Sequence, residues 1–79
     1  MYFVYILLSY KDNRTYVGYA KNLTARLYEH NCGRVKATKH RRPFKMFYSE
    51  QFPTLKEAKK RELWWKSSRG RSELKKFFV

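Results

Sequence analysis

The sequence predicts an α/β domain of the α+β kind, a small three-stranded antiparallel sheet flanked by helices. Two strand-like runs separated by a polar turn open the chain, a third such run follows a basic stretch, and helix-start signals precede two further segments. A length of 79 residues leaves room for one core and not two, so residues 1–79 read as a single domain.

Met1 to Leu8 is β-branched, aromatic or aliphatic, Lys11-Asp12-Asn13-Arg14 is a polar turn, and Thr15 to Tyr19 is strand-like again, which together make a hairpin. If Asp12 and Asn13 form a two-residue loop, Lys11 faces Arg14, and Tyr5, Leu7, Tyr16 and Gly18 share one face. Asn22 caps a helix running to about Asn31, with Gly33 as its stop. Leu23 and Leu27 mark the core stripe of that helix, while Arg26 and His30, four residues apart, share a face beside it, so a cation sits at the edge of the core. Arg34 to Arg42 lacks apolar periodicity and reads as a basic loop closed by Pro43. Phe44 to Phe52 is the third strand, packed on the hairpin and ended by Pro53. Thr54 and Glu57 form a capping box for a helix to about Ser67, and Ser68-Arg69-Gly70-Arg71 reads as a break before a short helix from Ser72 to Phe78.

The second helix carries an anomaly. Leu55, Ala58, Glu62 and Trp65 fall on one face, which aims Glu62 inward from the middle of an apolar stripe. A carboxylate there needs a cation, whether arginine, lysine or a metal ion.

Nineteen Lys and Arg stand against six Asp and Glu, a net charge of +13, and the basic residues run from Lys11 to Lys76 instead of forming a tail. Such a chain favours a polyanion, because each phosphate contact releases counterions. Nucleic acid is therefore the expected partner, and Lys21, Lys36, Lys39, Arg41 and Arg42 are the expected contacts to its phosphates, which give affinity without reading sequence. No membrane partner is expected: the longest apolar run, Phe3 to Leu8, is far short of the roughly 20 residues of a span, and no Lys or Arg precedes it as in a signal peptide. A cytoplasmic location follows. Cys32 alone forms no internal disulfide, and with His30 and His40 it makes no zinc-ligand spacing.

Phe3-Val4-Tyr5, ten intervening residues and Tyr16-Val17-Gly18 are followed by Lys21-Asn22-Leu23, by Arg26 eight positions after Gly18, by His30, and by Lys60-Arg61-Glu62 in the second helix. Two tyrosine triplets alone are a weak signal, but in this combination the chain resembles the GIY-YIG nuclease family over nearly its whole length, above all its small stand-alone members. Phe3 replaces the first glycine of the family pattern, and Tyr19 stands where some relatives carry a lysine.

The resemblance implies a GIY-YIG endonuclease-like fold and metal-dependent endonuclease activity on phosphodiester bonds, with DNA favoured over RNA. It also implies catalytic roles for Tyr5, Tyr16, Arg26, His30 and Glu62. Glu62 would hold a single divalent ion, Mg²⁺ or Mn²⁺, since one hard carboxylate completed by waters and phosphate oxygens suits those metals. The other reading of Glu62 is an ion pair with Arg26 or Lys66. Arg26 would clamp the scissile phosphate, Tyr5 would stand nearest the attacking water with Tyr16 helping to position it, or the reverse, and His30 would assist the leaving group, bond phosphate or serve a structural role. Larger relatives carry extra domains for target choice, so this chain either cuts with little preference or borrows selection from a homodimer or a partner protein. The leading alternative is a non-catalytic, basic nucleic-acid-binding module on the same fold, followed by a basic, ribosome- or partner-associated structural protein.

Overall fold

A computed structural model of the chain describes residues 1–77. Strands β1 (Tyr2–Ser9), β2 (Thr15–Ala20) and β3 (Phe44–Phe52) form one antiparallel sheet in the order β2-β1-β3. Helices α1 (Leu23–Asn31), α2 (Leu55–Lys66) and α3 (Ser68–Lys75) flank it, and a single 3-10 turn, Lys39–Arg41, interrupts the basic segment expected as a loop. Central β1 is covered on both faces. Val4, Ile6 and Val17 pack with Ala58, Trp65 and Leu74 of α2 and α3, while Tyr5, Leu7 and Phe44 pack with Leu23 and Leu27 of α1. A strand buried on both faces has no polar side to show, which is why Phe3 to Leu8 is a continuous apolar run.

The hairpin differs from the two-residue loop. Leu7 faces Tyr16 and Tyr5 faces Gly18, so the pairing is two residues out of step from one in which Lys11 faces Arg14. The cause is Ser9. Its N–H donates to Arg14 O (2.9 Å), its carbonyl accepts from Asn13 N–H, and its buried Oγ accepts from the N–H groups of Lys11 and Asp12. Residues 10–13 therefore form the turn, with Asn13 at φ 58, a left-handed conformation that asparagine tolerates. Because side chains alternate with a period of two, a slip of two residues leaves Tyr5, Leu7, Tyr16 and Gly18 on one face.

Helix α1 begins on Asn22, whose Oδ1 accepts from Ala25 N–H, and stops where Gly33 takes φ 79. Gly33 N–H donates to His30 O and Arg34 N–H to Glu29 O, the paired bonds of a Schellman stop. Thr54 caps α2 through Glu57 N–H, as the capping box requires. Ala58, Glu62 and Trp65 form its buried stripe. Leu55, expected on that stripe, is 37% exposed, because it sits on the first turn at the end of the packed face.

Two corrections concern α3. It starts at Ser68 instead of Ser72, because Ser67 ends α2 and also caps the next helix, its Oγ accepting from Gly70 N–H. Gly70, expected as part of a break, lies inside α3 at its crossing with the last turn of α2. A Cβ there would overlap the Trp64 carbonyl oxygen and Trp65 Cα. The expected end at Phe78 lies outside the described residues. Gly70→Ala should therefore cost about 1–3 kcal/mol through overpacking against backbone. At roughly 4–8 °C per kcal/mol for a chain of this size, a thermal melt will resolve the loss, and an unchanged melting temperature would show that the two helices separate freely.

Candidate active site

Tyr5 projects from the middle of β1 into the layer between sheet and α1, 1% exposed. Room for its ring comes from Gly18, directly opposite on β2. A Cβ at that position would lie 2.6 Å from Tyr5 Cζ and closer still to the hydroxyl. The glycine of the second triplet is thus required by the tyrosine of the first, for space and not for backbone freedom.

The Tyr5 hydroxyl meets two residues that α1 brings over it. His30 Nε2 lies 2.9 Å away, and Arg26 Nε donates to the same oxygen at 3.3 Å. On its far side His30 Nδ1 is 2.8 Å from Thr38 Oγ1, which donates weakly to Val35 O at 3.4 Å. Donor and acceptor capacities give the chain a direction. Arginine only donates, and a threonine hydroxyl whose proton goes to a carbonyl accepts from Nδ1–H. His30 Nε2 is left as the acceptor for the Tyr5 proton.

Burial, and then the charge of Arg26, hold His30 down at about 4, with Glu29 opposing, so the imidazole is neutral at pH 7. Burial likewise pushes Tyr5 above its usual value, and repulsion from Tyr16 and Glu62 adds to this, while Arg26 pulls it back. Tyr16 lies edge-on to the His30 ring with centroids 5.1 Å apart. Arg26 is anchored by Glu29 at 3.5 Å and remains about a third exposed, so its outer nitrogens face solvent.

His30 departs from one expectation. Fully enclosed between Tyr5 and Thr38, it has no surface with which to touch a phosphate or a leaving group directly.

Glu62 points inward, and its cation is Lys66 one helical turn on, with Nζ 2.8 Å from Oε2. Arg26, the other partner considered, bonds Tyr5 and Glu29 instead. Oε1 of Glu62 has no protein donor among the described residues, yet no buried side-chain oxygen is left unsatisfied, so this oxygen reaches solvent. No group of three or more His, Cys, Asp and Glu able to enclose a metal exists among the described residues. The donor set is one carboxylate with one open oxygen, which fits a hard ion that keeps most of its waters and does not fit a closed metal cage.

Of the expected phosphate contacts, Lys21, Lys36 and Lys39 are exposed. Arg42 donates to Lys39 O and lies against Gly33. Arg41 is committed elsewhere. Its Nε bonds Asp12 at 2.7 Å, its Nη2 reaches Thr15 O, and it packs over the Phe44 ring, pinning the basic segment to the hairpin turn. That guanidinium holds the Asp12 carboxyl well below the usual range.

Two contributors carry no sequence signal. Thr38 sits in a segment without periodicity. Glu50 braces α2 through Arg61 and Trp65 Nε1, but stands at an ordinary strand position.

A β2-β1-β3 sheet with a tyrosine from each hairpin strand, an arginine and a histidine from the following helix, and an inward carboxylate from α2 defines one class of protein, the GIY-YIG fold. The model of the GIY-YIG catalytic domain matches residues 1–76, and the chain belongs to that family. The family comprises nucleases, which act on nucleic acid. The chain is 41% identical over 75 residues to a UPF0213 protein of Staphylococcus saprophyticus (94% of this chain, 90% of the relative). It is 43% identical over 75 residues to one of Staphylococcus epidermidis, with the same coverage. The solution NMR structure of a UPF0213 protein of Bacillus halodurans aligns with a TM-score of 0.57 at 33% identity, covering 98% of this chain and 85% of that one. No helix among the described residues is long and apolar enough to cross a membrane.

The depressed His30 makes stability depend on pH. The unfolded histidine takes a proton near 6.5 and the folded one only at about 4, so stability is complete above 6.5 and falls as pH drops through that window. The slope is about 1.4 kcal/mol per pH unit at most. Melts between pH 7 and 4 should show this loss of stability in wild type and not in His30→Gln. Equal pH dependence in both proteins would mean that His30 is not held neutral by the fold.

Proposed function

We propose that the chain is a divalent-metal-dependent endonuclease that hydrolyses phosphodiester bonds in nucleic acid, with DNA as the preferred substrate. The observation that carries this reading is the hydrogen bond from Tyr5 to a buried, neutral His30, with Arg26 on the same phenolic oxygen. A surface that only held phosphates would have no use for a proton acceptor in its core.

Tyr5 is a neutral phenol at pH 7, and burial keeps it so. Its oxygen therefore acts as a base only by releasing its own proton in the same event. An attacking water gives a proton to Tyr5 as its oxygen bonds phosphorus, the Tyr5 proton passes to His30 Nε2, and the bond from phosphorus to the leaving oxygen breaks. That oxygen takes up a proton from solvent, and His30 later passes its proton back to Tyr5 as Tyr5 releases one to solvent. Arg26 opposes protonation of His30, but a phosphodiester seated on its exposed nitrogens offsets that charge, so the relay is easier with substrate than without. Tyr16 orients the water beside the His30 edge. Glu62 would hold Mg²⁺ or Mn²⁺ through its open oxygen, and the ion supplies positive charge at the phosphoryl oxygens. Lys66 keeps the carboxylate compensated otherwise.

One observation favours the reading as a binding module. Lys66 already pairs with Glu62, so the inward carboxylate does not by itself require a metal.

A cleavage panel of single-stranded, duplex and branched DNA and RNA, with and without Mg²⁺ or Mn²⁺, separates the readings. Tyr5→Phe and Arg26→Ala should each lower turnover by about tenfold to a hundredfold while binding changes less. Glu62→Gln should nearly abolish metal-dependent cleavage with the fold intact. A large drop in its melting temperature with metal binding unaltered would defeat the metal assignment and favour the binding module.

A further inference from the structure

An open groove of about 990 Å³ lies at the turn end of the hairpin, between residues 12–15 and α3. Arg14 and Thr15 line it from the hairpin, Arg71, Leu74 and Lys75 from α3, and Arg41 and Asp12 complete the lining. The single carboxylate is neutralised by Arg41 at 2.7 Å. Among the described residues the side chains of Arg14, Arg71 and Lys75 have no hydrogen-bond or ion-pair partner, so three cations face the same concavity uncompensated. Arg71 and Lys75 are one helical turn apart and present their charges in a row.

The geometry points to this groove as a second phosphate-binding surface that holds the same nucleic acid away from the cleavage site. The inference rests on the nuclease reading and adds residues outside the basic segment to it. Charge supports it: three unpaired cations and no free carboxylate line one concavity at the turn end, and its α3 residues belong to the face of the sheet opposite Tyr5, so it is a surface separate from the candidate active site. The fixed position of Arg41 supports it too. Its guanidinium is tied to Asp12 and to Thr15 O, which holds hairpin turn and basic segment together and keeps the groove's shape without substrate. A concave surface with a row of unpaired cations fits a flexible polyanion better than it fits a flat bilayer.

The test is fluorescence anisotropy of a labelled 20-base-pair duplex and its single strand, read as log K against log salt. Arg71→Gln with Lys75→Gln removes two groove charges at (i, i+4) spacing. Lys56→Gln with Lys60→Gln removes two at the same spacing on the outside of α2, away from the groove. All four side chains are exposed, and far-ultraviolet circular dichroism checks that both variants fold. The groove pair should flatten the duplex slope by about 0.9 per contact, close to 2 in all, with Arg14→Gln flattening it further, while the control pair keeps the wild-type slope. Equal effects of the two pairs would overturn the groove in favour of general attraction by net charge. If the groove pair abolishes binding to phosphatidylglycerol vesicles but leaves both oligonucleotides unaffected, the surface belongs to a membrane and the inference fails. Wild type that binds and cuts while the groove pair keeps its slope overturns the groove alone; wild type that neither binds nor cuts overturns the nuclease reading beneath it.

Discussion

The hydrogen bond between Tyr5 and His30 is the constraint on which the rest of the molecule depends. It joins the central strand to the end of α1, 25 residues away, and sets how closely the helix lies on the sheet. Gly18 must lack a side chain for the Tyr5 ring to occupy its place. Thr38 must be brought back over His30, which fixes the path of the basic segment. Ser9 and Arg41 then fasten that segment to the hairpin turn, Ser9 Oγ donating to Arg41 O at 2.6 Å. A few polar contacts thus tie β1, β2, α1 and the chain from residue 34 to 42 into one unit.

The two faces of the sheet divide the work. Val4, Ile6, Val17, Ala58, Trp65 and Leu74 form an apolar layer whose burial stabilises the fold at about 25 cal/mol per Å² removed from water. The opposite layer spends its interior on a phenol, an imidazole and a threonine hydroxyl, groups that are costly to bury unless every donor and acceptor is matched. Among the described residues no buried side-chain polar atom lacks a partner. The polar layer is therefore affordable in a chain of this length, but it has no slack: removing one member leaves another unpaired.

Local pattern revealed most of the frame. Caps at Asn22 and Thr54, the stop at Gly33 and the third strand at Phe44–Phe52 are all written in neighbouring residues, and the structure has them there. The hairpin register lies two residues from the one that a two-residue loop would set because a side-chain oxygen, Ser9 Oγ, organises the turn, yet parity keeps the site face intact. The inward direction of Glu62 is legible from helical spacing; its Lys66 partner is one of three that remain open there, beside Arg26 and a metal ion. What sequence could not convey were contacts made across the fold. His30 looks like an edge residue on a wheel, and only Tyr5 and Thr38 make it a core residue. Arg41 looks like any other cation in a basic loop until Asp12, 29 residues away, claims it.

Ser67 belongs to two helices at once, closing α2 and opening α3 with no residue between them. Such a joint fixes angular phase. An inserted residue would find no loop to absorb it, and each added position turns the following helix by about 100°. Leu74 would leave the core and Arg71 would swing to another side of the molecule, so core and charged surface would be lost together. Length variation among relatives should therefore accumulate in the basic segment and the hairpin turn, and spare this elbow.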